Sequence, residues 1–155
     1  MDNPLRNGLR AGAIFSVIIV FLQLIGFPVV GSTLIGKALG NAATASTGQA
    51  ALTNMVIFMG LLGLWNGSTA AKRADPDTFA RAIFSGLTAG VFTGLIVGAF
   101  AYLLGLLQTG GIDVRRYLSS VSPDVIRLFL FNQAPMTASL YHFAILVVMG
   151  ALGGL

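Results

Sequence analysis

Residues 82–107 read AIFSGLTAGVFTGLIVGAFAYLLGLL, twenty-six positions without a formal charge. At 1.5 Å per residue a helix of that length reaches about 39 Å, more than the roughly 30 Å of a bilayer's hydrocarbon core. Gly86, Gly90, Gly94 and Gly98 recur within it at every fourth residue, as three overlapping GxxxG units. Four residues turn a helix by about 400°, so the glycines drift by about 40° per step and draw a slanted groove along one face. In water such glycines weaken a helix; in lipid they let a second backbone approach closely. The stretch therefore predicts a membrane helix whose glycine face packs against a neighbour. Gly8, Gly12 and Ser16 repeat the spacing near the start of the chain, and Gly60, Gly63 and Gly67 make a further small face. Either of those segments, or another subunit, is an available occupant of the groove.

The composition of the whole chain points the same way. Of its 155 residues 55% are hydrophobic and only 9% charged, where a soluble domain carries about a quarter. The mean hydropathy is +0.86. Nine Lys or Arg and five acidic residues, all of them Asp, are too few to coat a water-facing surface, so most of the exterior must meet lipid. Intrinsic disorder does not fit this apolar content. With no Cys, a disulfide scaffold and thiol-ligated metals are also excluded. The pI near 10.1 arises from a net charge of only +4 scattered between apolar runs, which does not make a nucleic-acid surface.

The expected fold is all-α and integral to the membrane: one domain over residues 1–155, with four transmembrane helices at about 11–35, 52–71, 82–107 and 140–155. Amphipathic interfacial helices are expected at about 113–131, between the third and fourth spans. The first span follows Arg6 and Arg10 and resembles a signal peptide, with Ala43, Thr44 and Ala45 as a cleavage site. Its apolar stretch is too long for that reading, so an uncleaved anchor is expected, kinked near Pro28. Residues 36–51 read as a small, polar loop. The second span ends at Lys72 and Arg73, with Trp65 near the headgroup level and a turn at Asp75, Pro76 and Asp77. The final run of sixteen residues reaches about 24 Å, short of the hydrocarbon core, and is read as belonging to a longer polypeptide.

In the interfacial segment Val114, Tyr117, Leu118 and Val121 recur at helical spacing opposite Arg115, Arg116, Ser119 and Ser120. A second short helix is expected to start at Ser122 as N-cap, with Pro123 at the first position and Asp124 in the first turn. Its body, VIRLFLF, should dip into the interface or pack on the bundle. With a cytoplasmic N-terminus the inner side carries Arg6, Arg10, Lys72, Arg73 and Arg81, against Lys37, Arg115, Arg116 and Arg127 outside. That count favours N-in by five to four.

Chemistry is sparse. GSTLIGK at residues 31–37 matches the first seven positions of a phosphate-binding GxxxxGK[ST] loop, but Ala38 stands where the magnesium-binding hydroxyl belongs and an apolar run replaces the preceding strand. No nucleotide binding is expected. His142, the one histidine, sits between Tyr141 and Phe143. It reads either as an axial ligand to a chlorin or haem iron or as part of an interfacial aromatic anchor, and the anchor is favoured. Gln23, Asn54 and Asn66 are the main polar groups at depth, suited to hydrogen bonds between helices. No catalytic residue, metal site or cofactor is expected.

PLRNGLRAGAIFSVIIVFLQLIGF (4–27), MVIFMGLLGLWNGSTAAKR (55–73), ARAIFSGLTAGVFTGLIVGAFAYLLG (80–105) and VRRYLSSVSPDVIRLFLFNQ (114–133) follow one another in an order that resembles the N-terminal membrane region of some branched-chain amino-acid ABC transporter permeases. The resemblance covers nearly the whole chain. It implies a non-catalytic permease module working beside cytoplasmic ATPase subunits and a substrate-binding protein, in a bacterial inner membrane. The chain departs from that family by stopping where the core permease region begins, so no substrate residue carries over. The alternative class is a small accessory subunit of a photosynthetic or respiratory membrane complex. Both readings expect other membrane subunits and the bilayer as partners.

Overall fold

A computed structural model describes residues 3–27, 30, 48–73, 78–111 and 121–155. Five helices occupy these residues: α1 (Pro4–Leu24), α2 (Gly48–Arg73), α3 (Phe79–Thr109), α4 (Pro123–Phe129) and α5 (Pro135–Gly153), and among the described residues there is no strand. Three of them, α1, α3 and α5, are long and apolar enough to cross a membrane. Pro28, the residues matching the phosphate loop, the 74–77 turn and the proposed amphipathic helix up to Ser120 lie outside the described residues.

Local chemistry sets the helix ends, and it moves two of the expected spans. The first helix starts at Pro4, not near residue 11, because the Asn3 side chain accepts a hydrogen bond from the Leu5 N–H at 3.0 Å and Pro4 supplies a preset first turn. It stops at Leu24, and Gly26 follows with φ +77°, a left-handed conformation that glycine takes without steric cost, with Phe27 and Val30 beyond it helical again. Arg6 and Arg10 thus lie inside the first turns of α1, where long side chains can reach back to the headgroups. The last helix begins at Pro135, five residues before the expected start. Its 19 residues reach about 28 Å, close to the thickness of the hydrocarbon core, which corrects the shorter span expected from sequence.

Packing fixes the directions of the helices. Gly8 and Gly12 of α1 lie against Ser85 and Ala89 of α3 in ascending order, so these two helices run parallel. Asn66 meets Ala89 and Thr93, while Ala70 meets Ser85, so α2 runs antiparallel to α3. Gly86 to Gly98 meet α5 from Gly150 back to Ser139, again antiparallel. Ile19, Met55, Met59, Val97, Phe129 and Leu146 fill the core, while Val17, Phe21, Leu61, Leu103 and Val148 point outward. Large apolar side chains outside a packed core are what a lipid-solvated bundle requires.

Ser122 caps α4, its hydroxyl accepting from the Asp124 N–H at 3.3 Å, with Pro123 in the first turn. The helix is only seven residues long, and it packs into the bundle: Ile126 and Phe129 are buried in the main core. It ends in two consecutive left-handed residues, Phe131 and Asn132, both at φ 53°. Asn tolerates that region, whereas Phe adopts it at a steric cost. Phe131 is held there by edge contacts with Tyr141 and His142, at centroid distances of 5.7 and 4.8 Å.

Candidate functional site

Two constellations stand out, a glycine seam between α3 and α5 and a column of buried polar groups where α1, α2 and α3 meet. The seam is occupied by α5, which differs from the three occupants that the sequence left open. A Cβ added to Gly86 would stand 2.5 Å from the Gly150 carbonyl oxygen, one on Gly90 2.5 Å from that of Leu146, and one on Gly98 3.0 Å from that of Ser139. Gly94 is less constrained, with Phe143 atoms at 3.2 Å. The contact is therefore backbone against backbone. From the other side the Gly150 carbonyl abuts Gly67 of α2, and the Leu64 carbonyl abuts Gly153. Gly150 is the point where α2 and α3 each reach the backbone of α5 without a side chain between, and sequence reasoning did not single it out. Its signal is the i+4 series Ala138, His142, Leu146, Gly150, every member of which is buried.

The polar column begins at the end carrying the chain's first residues. The Asn7 side-chain N–H donates to the Arg73 carbonyl at 2.9 Å, satisfying an otherwise open carbonyl in the last turn of α2. One helical turn or so deeper, the Ser85 hydroxyl lies 3.0 Å from the Ala70 carbonyl and 3.3 Å from that of Pro4, and donates to one of them. Deeper still is Thr93. Its Oγ1 accepts from the Asn66 amide at 2.7 Å and has the Ala89 and Gly12 carbonyls at 2.8 and 3.1 Å for its own proton. Ser85, Asn66 and Thr93 have no exposed surface. Each spans helices, so the polar atoms at this depth act as ties.

Two polar groups are not tied in this way. Gln23, on α1, is buried with neither side-chain amide atom hydrogen bonded. Such a group carries a desolvation cost of about 1–3 kcal/mol that nothing offsets. Gln23→Leu, of similar size, is expected to raise the midpoint of thermal unfolding in detergent; a fall of several degrees would show that the amide does bind something in the folded chain.

His142 is the other. It lies seven residues into α5 and is fully buried. Its Nδ1 is 2.8 Å from the Ala138 carbonyl, which requires the proton on Nδ1 and leaves the Nε2 lone pair without a partner. The rings of Phe129 and Phe131 lie at centroid distances of 4.9 and 4.8 Å. An axial ligand needs open space for a macrocycle beside its free nitrogen, and full burial beneath α4 leaves no such space in this conformation. Tyr141, beside it, faces outward. Among the described residues no group of three or more His, Cys, Asp or Glu could hold a metal ion.

Comparison of the chain with protein families, with curated proteins and with solved structures found no match.

Proposed function

We propose that this chain is a non-catalytic helical scaffold of a bacterial inner-membrane transport permease, in the position of the N-terminal module of an ABC-type amino-acid permease. The observation that supports this reading is the use made of the polar residues at depth. Asn66, Thr93 and Ser85 link helices to one another, as in a module that holds its shape while cargo passes elsewhere. The glycine seam adds to that rigidity by bringing backbones together from Gly86 to Gly98, about three helical turns.

In this reading α2 is the fourth crossing element. Its 26 residues are long enough, and it runs opposite to both α1 and α3, as alternating spans must. Arg6, Arg10, Lys72, Arg73 and Arg81 then gather at one end of the bundle, the end where Asn7, Arg73, Ser85 and Pro4 meet. The positive-inside rule puts that end in the cytoplasm, and the N-terminus with it. α4 belongs at the opposite face, folded into the bundle mouth.

Purification from native membranes in mild detergent, followed by mass spectrometry of the intact complex, tests the assignment. The expected result is a fixed stoichiometry with ABC-type ATPase subunits and a substrate-binding protein. Recovery with respiratory or photosynthetic subunits would replace the reading by that of an accessory subunit, and recovery of the chain alone would contradict both.

A further inference from the structure

Gln23 near the end of α1 and His142 near the start of α5 lie at the same end of the bundle, since α1 runs parallel to α3 and α5 antiparallel to it. Both are buried, and both keep polar atoms without a partner: the two amide atoms of Gln23 and Nε2 of His142. The same short helix, α4, lies over each of them. Gln23 is one turn beyond Ile19, which shares a buried cluster with Ile126 and Phe129 of α4. It is also three residues before Gly26, where an added Cβ would stand 3.2 Å from the Val125 side chain. His142 carries the rings of Phe129 and Phe131 directly against its own.

Seven residues do not sustain a helix by themselves, so α4 depends on what it packs against. It is held along one face by Ile126, Phe129 and Leu130, while Asp124 and Arg127 are exposed. Its end is strained. The Phe131 N–H donates to the Leu128 carbonyl at 2.8 Å and the Asn132 N–H to the Arg127 carbonyl at 2.9 Å, a helix ending in which glycine usually holds the place that Phe131 has here. The ring contacts of Phe131 with Tyr141 and His142 offset that strain only while α4 stays down.

The closed arrangement therefore carries two costs, a strained residue and buried polar atoms without partners. One motion relieves both. Raising α4 lets Phe131 leave the left-handed region and lets water reach the Gln23 amide and the His142 Nε2. A short element held along one face is the kind that opens without unfolding the rest.

We propose that α4 is a lid on the folded bundle, hinged at Phe131 and Asn132, whose opening admits water to Gln23 and His142. The lid stands whichever complex the chain belongs to.

The test uses diethyl pyrocarbonate, which reacts with the lone pair of an accessible imidazole. The chain has one histidine, so carbethoxylation of His142, read by mass spectrometry of the full chain in mild detergent, reports opening. The wild type should react while folded, at a rate nearly constant across denaturant concentrations below the unfolding transition. Ile126→Ala, which removes packing under the lid, should speed the reaction about tenfold or more. Gln23→Leu should slow it about fivefold, because leucine gains nothing from water when the lid rises. Gly67→Ala, which disturbs the α2–α5 contact toward the other end, should leave the rate unchanged, and the wild-type denaturant profile decides if that variant does not fold. Reaction of the wild type only on global unfolding, equal acceleration by Gly67→Ala and Ile126→Ala, or an unchanged rate in Gln23→Leu would overturn the proposal.

Discussion

Gly67→Ala is expected to destabilise the bundle by about 3 kcal/mol or more, while Gly60→Ala, on the same helix, leaves it unchanged or slightly more stable. Both substitutions add one methyl group to α2. At Gly67 the Gly150 carbonyl oxygen occupies the space that the new Cβ needs, and a backbone atom in a packed helix cannot rotate away. At Gly60 the nearest atom is the Met149 Cε at 3.6 Å, ordinary contact with the end of a flexible side chain. The gain from replacing glycine in a helix is then free to appear, about 0.5–1 kcal/mol. Gly90→Leu on α3 should match or exceed the Gly67 effect, because Leu146 carbonyl and Gly150 Cα both stand within about 3 Å of its Cβ. The single tryptophan, Trp65, packs edge-on against Phe15 at 5.4 Å, so its fluorescence reports separation of α1 and α2 during unfolding in mixed micelles. Equal stabilities for Gly67→Ala and Gly60→Ala would mean that α2 and α5 do not touch at Gly150.

Thr93→Val should cost about 1–3 kcal/mol, and adding Asn66→Leu to it should restore part of the loss. The order of these effects follows from which atoms are left alone. Valine keeps the shape of threonine but withdraws the acceptor for the Asn66 amide and the donor to the carbonyls of α1 and α3. Asn66 is then buried with only the Ala89 carbonyl, 3.3 Å away, and its Oδ1 has no partner to begin with. Removing the amide as well ends that penalty. A coupling energy of about 0.6–2 kcal/mol from the double-mutant cycle is the expected size for a hydrogen bond between membrane helices. If the double variant is less stable than Thr93→Val by the full cost of Asn66→Leu alone, the two side chains are not joined.

The sequence made the long helices legible wherever one residue pattern decides. The uncharged 82–107 run foretells α3, and Ser122, Pro123 and Asp124 foretell the start of α4 because a cap is a local matter of backbone donors and acceptors. Two helix starts were readable yet passed over. Asn3–Pro4 and Ala134–Pro135 carry the same proline signal, but a span drawn from uncharged residues alone excludes Arg6 and Arg10, whose long stems allow them inside a helix end. The occupant of the glycine groove was not legible, since every helix with a small face fits it equally and only the folded arrangement brings Gly150 to Gly90. The burial of His142 is nonlocal too: it depends on α4 turning at Phe131 and Asn132 and laying two phenyl rings beside the imidazole. What the site does chemically is the least legible part, because ties between helices use the same Asn, Ser and Thr that could line a path.

Since the chain has no Cys, single cysteines can be placed without background, and their reaction with a membrane-impermeant maleimide in intact vesicles reports directly on the surrounding medium. The outward-facing apolar positions Val17, Leu61, Leu103 and Val148 on α1, α2, α3 and α5 are the informative ones, with Gly111 beyond the end of α3 as reference. The account predicts rapid labelling at Gly111 and protection at the other four until the vesicles are dissolved and the chain is unfolded. Labelling of Val17 or Leu103 in intact vesicles at the rate of Gly111 would contradict it.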